Sequence, residues 1–126
     1  MGAAYYIIAE HKPEEMDLFV NGKALARADQ RLASAARKLG VRELLDFFSQ
    51  DPEEAAEFVE DPEVLKNLPP EEWFAPADGL KTVRALLPEF LTSPEDAAIA
   101  DDLREFEGVL VRLEEAGLRW HLSVDF

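Results

Sequence analysis

Two short stretches bracket everything else in this chain, and neither is patterned like a helix. Residues 3–9, AAYYIIA, are apolar at consecutive positions and rich in Tyr and Ile. Such a run suits a strand covered on both faces. Residues 118–126, LRWHLSVDF, alternate instead. Leu118, Trp120, Leu122, Val124 and Phe126 fall on one face; Arg119, His121, Ser123 and Asp125 fall on the other. A strand with one apolar face must lie on a core, and its backbone needs a ladder partner. The segment nearest in character is 3–9, so the two end strands are expected to be neighbours. Two strands alone are marginal, which leaves three ways to complete the sheet. Residues 16–20 add a third strand through Met16, Leu18 and Val20, ahead of the Asn21-Gly22 turn signal. Otherwise the helices cover the sheet closely, or a second copy pairs at its edge.

Between the strands the period changes. Leu25, Ala28, Leu32, Ala36 and Leu39 lie three or four apart, which predicts one helix over 23–39, stopped by Gly40 in the left-handed conformation. Residues 41–50 predict a shorter helix anchored on Leu44, Leu45, Phe47 and Phe48. Asp51-Pro52-Glu53-Glu54 and Asp61-Pro62-Glu63 each read as a helix start, with a capping acid, Pro at the first helical position and acids at the positive end. Trp73-Phe74-Ala75-Pro76 reads as an apolar loop or single turn. Asp78 is expected to cap a helix carrying Leu80, Val83, Leu86, Leu87, Phe90 and Leu91, which Pro88 kinks or ends. Ser93-Pro94-Glu95-Asp96 opens the longest helix in capping-box fashion, Ile99, Leu103, Phe106, Leu110 and Leu113 form its stripe, and Gly117 stops it. The pattern is α+β: one mostly helical domain over 1–126, its small sheet made by the N- and C-terminal strands and packed against four to six helices.

Charge narrows the function classes. Thirteen bases against 27 acids leave a net charge of −14, which repels nucleic-acid phosphates and anionic lipid. The imbalance is local. Residues 43–72 carry eleven acids and one base, whereas 23–42 carry six bases and one acid. Two solvated surfaces that partly neutralise each other explain such runs; a dedicated binding face is the sharper reading. The stripe Lys23, Arg27, Arg31 lacks interleaved aromatics, so it suits acidic neighbours better than nucleic acid. The absence of cysteine excludes disulfides, thiolate metal sites and cysteine nucleophiles, and fits a cytoplasmic protein. The first residues lack the basic flank of a signal peptide, Tyr6 stands where a myristoylation signal needs Ser or Thr, and no run approaches the length of a membrane helix.

Motifs of catalysis are missing. Ser34, Ser49, Ser93 and Ser123 sit in no nucleophile elbow, and helix capping explains Ser49 and Ser93. No phosphate-binding glycine loop, zinc spacing or calcium loop occurs, so neither cofactor nor metal is expected. Helix-start charge and solubility account for Glu53, Glu54, Glu57 and Glu60, which as a group also offer an acidic face to a basic protein. Trp73 and Phe74, between proline breaks, are core plugs or the apolar centre of a contact site. One polar cluster offers an enzymatic alternative: His121, Asp125, His11 and a tyrosine, Tyr5 or Tyr6, brought together where the end strands pair. An ordinary outward residue is the simpler reading of His121.

The start Met1-Gly2-x-x-Tyr5-Tyr6, the helix opening Gly22-Lys23-Ala24-Leu25-Ala26 and the closing Trp120-His121-Leu122-x-Val124-Asp125-Phe126 resemble small uncharacterised bacterial proteins of unknown function. The resemblance implies one compact cytoplasmic domain and no catalytic residue. The expected function is therefore a non-catalytic acidic interaction domain, immunity- or antitoxin-like or a regulatory adaptor, with a basic protein as partner. A small enzyme or ligand-binding domain is the alternative.

Overall fold

The structure, a computed structural model, describes residues 3–11, 20, 22–57, 59–68 and 70–125, with the side chains of 54, 55 and 125 outside the description. Strand β1 (Ala4–Ala9) pairs antiparallel with β2 (Trp120–Asp125), in a register that sets Ile7 against Leu122 and Ile8 against His121. The two end segments are therefore ladder partners, and among the described residues they form a two-stranded sheet. The third strand expected at 16–20 falls on residues 12–19, which lie outside the described residues, apart from Val20, which is buried.

Helices cover one face of this ribbon. They are α1 (Lys23–Arg27), α2 (Asp29–Leu39), α3 (Pro52–Ala56), α4 (Pro62–Lys66), α5 (Pro76–Leu86) and α6 (Ala97–Ala116). The architecture is α+β and mostly helical, as the patterning predicts. Tyr5, Ile7, Trp120 and Leu122 point into the core, where Leu103, Phe106, Leu110 and Leu113 of α6 and Leu80, Val83 and Leu86 of α5 meet them. Gly40 (φ 71°) and Gly117 (φ 70°) end α2 and α6 in the left-handed conformation that their lack of a Cβ permits.

Several local expectations yield to packing. The single helix over 23–39 is broken at Ala28, which takes φ −101° and ψ 20°. The break lets α1 lean on α6. Gly22 at the start of α1 has no side chain to cap it, and the Asp102 carboxylate of α6 does so across the fold, accepting from the Ala24 N–H at 3.0 Å. Burial holds that carboxyl above the usual range, although the amides of Ala24 and Leu25 pull the other way. Residues 41–50 make only a 3₁₀ turn, Leu44–Phe47, because Phe48 must be extended to bridge Leu122. Leu44 and Phe47 are its buried anchors, whereas Leu45 and Phe48 are exposed. Helix α5 starts at Pro76 with Ala75 as its cap, ahead of the expected Asp78. Pro88 ends it as expected, passing the chain into a 3₁₀ turn, Leu87–Phe90. Ser93 makes no side-chain cap and Asp96 does not reach back. Its carboxylate, nearly buried, instead accepts from Arg31 at 2.9 Å.

Tyr5 gives the fold a signature at high pH. Burial, with the Asp29 carboxylate nearby, pushes its phenol from 10.0 up to about 12. Below pH 10 both the folded and unfolded phenols are neutral and the group contributes no pH dependence. Above it the unfolded chain ionises first, so stability falls as pH rises from 10 towards 12. Melting curves across that window should therefore fall more steeply for the wild type than for Tyr5→Phe; parallel curves would refute the assignment.

Candidate functional site

The acidic segment is an excursion from strand β2, tied down at both of its stems. On the outgoing side Phe48 forms a parallel bridge to Leu122, and the Ser49 N–H donates to the Leu122 carbonyl at 3.2 Å. On the returning side Phe74 forms an antiparallel bridge to Trp120 through bonds of 2.8 and 3.0 Å. The stems also hold each other: the Ser49 hydroxyl accepts from the Glu72 N–H at 2.7 Å. His121 closes the ring. Its Nε2 lies 2.8 Å from the Glu71 carboxylate, its Nδ1 lies 3.0 Å from the Leu122 carbonyl, and the Trp73 ring tilts over it at 4.7 Å.

Between the stems runs an arm, residues 50–70, with seven acids against Lys66. Its helices start as the sequence predicts: the Asp51 carboxylate accepts from the Glu53 N–H and the Asp61 carboxylate from the Glu63 N–H, both at 2.9 Å. Helices of five residues do not survive on propensity, yet α4 buries none of its residues. Val64 is 46 % exposed and Leu65 37 %, on a helix started by Asp61 and Glu63. Two apolar side chains stand in water at the centre of the most acidic part of the chain.

The expected binding residues divide between arm and stem. Glu53, Glu57 and Glu60 are exposed on the arm, and the side chain of Glu54 lies outside the description. Phe74 is partly buried and packs against the core. It meets Phe47 edge-on at 5.3 Å, and the Arg42 guanidinium lies 4.7 Å from its ring and 4.6 Å from that of Phe47. Trp73 is half-buried as the cover of His121.

The members of the alternative histidine cluster are placed differently from one another. His121 is 2 % exposed, so it is not an ordinary outward residue, and both of its nitrogens are engaged. Tyr6 shares its sheet face, opposite Ser123 and half-buried. Asp125 pairs through its backbone with Ala4, and its side chain lies outside the description. His11 is exposed beyond the end of β1. There Glu10 binds Arg119 at 2.9 Å, and the guanidinium holds the Glu10 carboxyl below the usual carboxylate range.

Ser49 and Glu71 are the residues that sequence reasoning missed. Ser49 caps nothing; its backbone and hydroxyl serve the two stems. Glu71 is one acid among the eleven of 43–72, and its place two residues before Trp73 does not mark it out. Among the described residues no group of three or more His, Asp or Glu is placed to hold a metal ion, and no helix is long and apolar enough to cross a membrane. No protein-family model, curated protein or solved structure matches the chain significantly.

Proposed function

We propose that this chain is a non-catalytic acidic interaction domain of the cytoplasm, either immunity- or antitoxin-like or a regulatory adaptor, that offers the arm 50–70 to a basic partner protein. One observation carries the reading: α4 buries nothing of its own and exposes Val64 and Leu65 amid carboxylates. Apolar side chains of that kind supply contact energy once covered, and the surrounding acids steer and orient a basic surface. The acids also discourage aggregation while the site is empty. An enzyme built on His121 is the weaker reading, because the ring is 2 % exposed beneath Trp73 and both of its nitrogens already contact the protein, which leaves a substrate no approach. Pairing of two copies through β2 is also less favoured, since bridges from Phe48 and Phe74 already occupy its outer edge.

The test compares wild type with Val64→Ser/Leu65→Ser in pull-downs from the native host at low and moderate salt. The wild type should retain a basic protein, less of it as salt screens the arm. The double variant should lose that protein while its folding free energy stays within about 0.5 kcal/mol of wild type, as exposed substitutions do. Failure to retain any protein in a salt-sensitive way, or equal retention by the variant, would refute the proposal.

A further inference from the structure

The basic face of α1 and α2 borders an open groove. Ala24 and Ala28 line it on one side, Ala98 and Ile99 of α6 on the other, and these small side chains let another helix approach closely. Arg27 and Arg31 stand on its rim, and Glu95 is the one acid among its lining residues. Arg31 is held in place: its guanidinium binds Asp96 at 2.9 Å and lies 5.3 Å from the centre of the Phe90 ring. Arg27 is exposed and makes no hydrogen bond or ion pair among the described residues. On a chain of net charge −14, an apolar groove rimmed by cations selects an acidic occupant.

We infer that this groove takes helix α4 of a second copy of the chain. The two surfaces match in kind. Helix α4 brings the acids Asp61 and Glu63 at its start, the apolar pair Val64 and Leu65, and Lys66 at its end. The groove answers with two arginines, an apolar floor and Glu95. Neither half is used within one copy: Val64 is 46 % exposed, Leu65 is 37 % exposed, and no residue of α4 lines the groove. Each copy offers one arm and one groove, so the contact is head-to-tail. It closes into a dimer if two copies exchange arms and grows a chain otherwise. A five-residue helix covers far less than an ordinary interface, so the contact forms at high protein concentration. At physiological ionic strength the repulsion between two acidic copies is screened beyond about 8 Å, whereas ion pairs in a covered contact are screened much less. The inference rests on the reading of the arm as a binding element and names a second copy as one of its partners.

Sedimentation of the purified full chain tests it, at about 0.15 M salt and from about 10 µM to about 1 mM protein. The mean mass of the wild type should rise with concentration. Arg27→Glu spoils the groove and Val64→Ser/Leu65→Ser spoils the arm, so each should weaken association by about tenfold or more. Mixed one to one, these variants have one intact arm and one intact groove between them, and the mixture should associate more strongly than either variant alone. Lys81→Glu, at an exposed position of α5 outside the groove, makes the same change in net charge as Arg27→Glu and should associate like the wild type. All of these positions are exposed, and melting curves verify that each variant folds. A wild type that stays monomeric to about 1 mM overturns the inference. So does an equal loss of association in Lys81→Glu and Arg27→Glu, or a mixture that associates no more than its components. If a monomeric wild type still retains a basic host protein, the arm stands as a binding element and the groove alone is dismissed.

Discussion

Gly79→Ala should lower the folding free energy by about 3 kcal/mol, although alanine is the better helix former by about 1 kcal/mol. Gly79 lies within α5, against the indole of Trp120. A Cβ there would collide with Trp120 Cζ2, and would sit 2.9 Å from Cε2 and 3.2 Å from Leu110 Cδ1. The indole has little room to yield. It is fully buried, it stacks on Phe47 at 5.1 Å, and its N–H donates to the Ala75 carbonyl at 3.3 Å. Packing therefore outweighs propensity. Urea denaturation measures the loss, and a double-mutant cycle assigns it. Phenylalanine at 120 lacks the outer carbons of the indole, so Gly79→Ala should cost at least about 1.5 kcal/mol less in a Trp120→Phe background. A neutral or stabilising Gly79→Ala, as propensity alone would give, would show that the contact does not govern this site.

Trp120→Ala should cost still more, about 4 to 5 kcal/mol. That approaches the whole stability of many domains of this size. Trp120 is where the parts of the molecule meet. Its ring fills the space between Phe47 and the helix surface at Gly79, its indole N–H caps the Ala75 carbonyl that leads into α5, and its backbone carries the Phe74 bridge. Truncation removes the stacking partner and leaves a cavity that helix α5, fixed by Leu80, Val83 and Leu86, cannot close. Calorimetry should show the cooperative transition lost, or its midpoint lowered by about 15 °C or more. A loss below about 1.5 kcal/mol would mean that the site collapses easily and that the core is organised elsewhere.

Legibility from sequence followed the range of the interaction. Helix starts at Pro52 and Pro62, helix stops at Gly40 and Gly117, and the strand character of both end segments were all readable, because each rests on residues within about four positions of one another. The pairing of the end strands was also readable, since an alternating apolar face and an unpaired backbone leave a chain of this length few partners. The charge of the arm was legible; its detachment from the core was not, because the apolar pair Val64 and Leu65 reads the same whether covered or bare.

Only the tertiary structure decided the rest. Ala24 finds its cap 78 residues away on Asp102, Arg31 finds Asp96 at 65, and His121 finds Glu71 at 50. Local roles were at hand in sequence for several of these side chains: a capping box for Asp96, an outward polar position for His121, a place in the acidic run for Glu71. Packing overrides those roles because a buried polar group must be satisfied wherever the chain happens to cross. The amino-acid sequence by itself determined which segments are helix, strand and acidic arm. Which polar groups meet in the interior was settled when the two end strands closed and the helices settled on them.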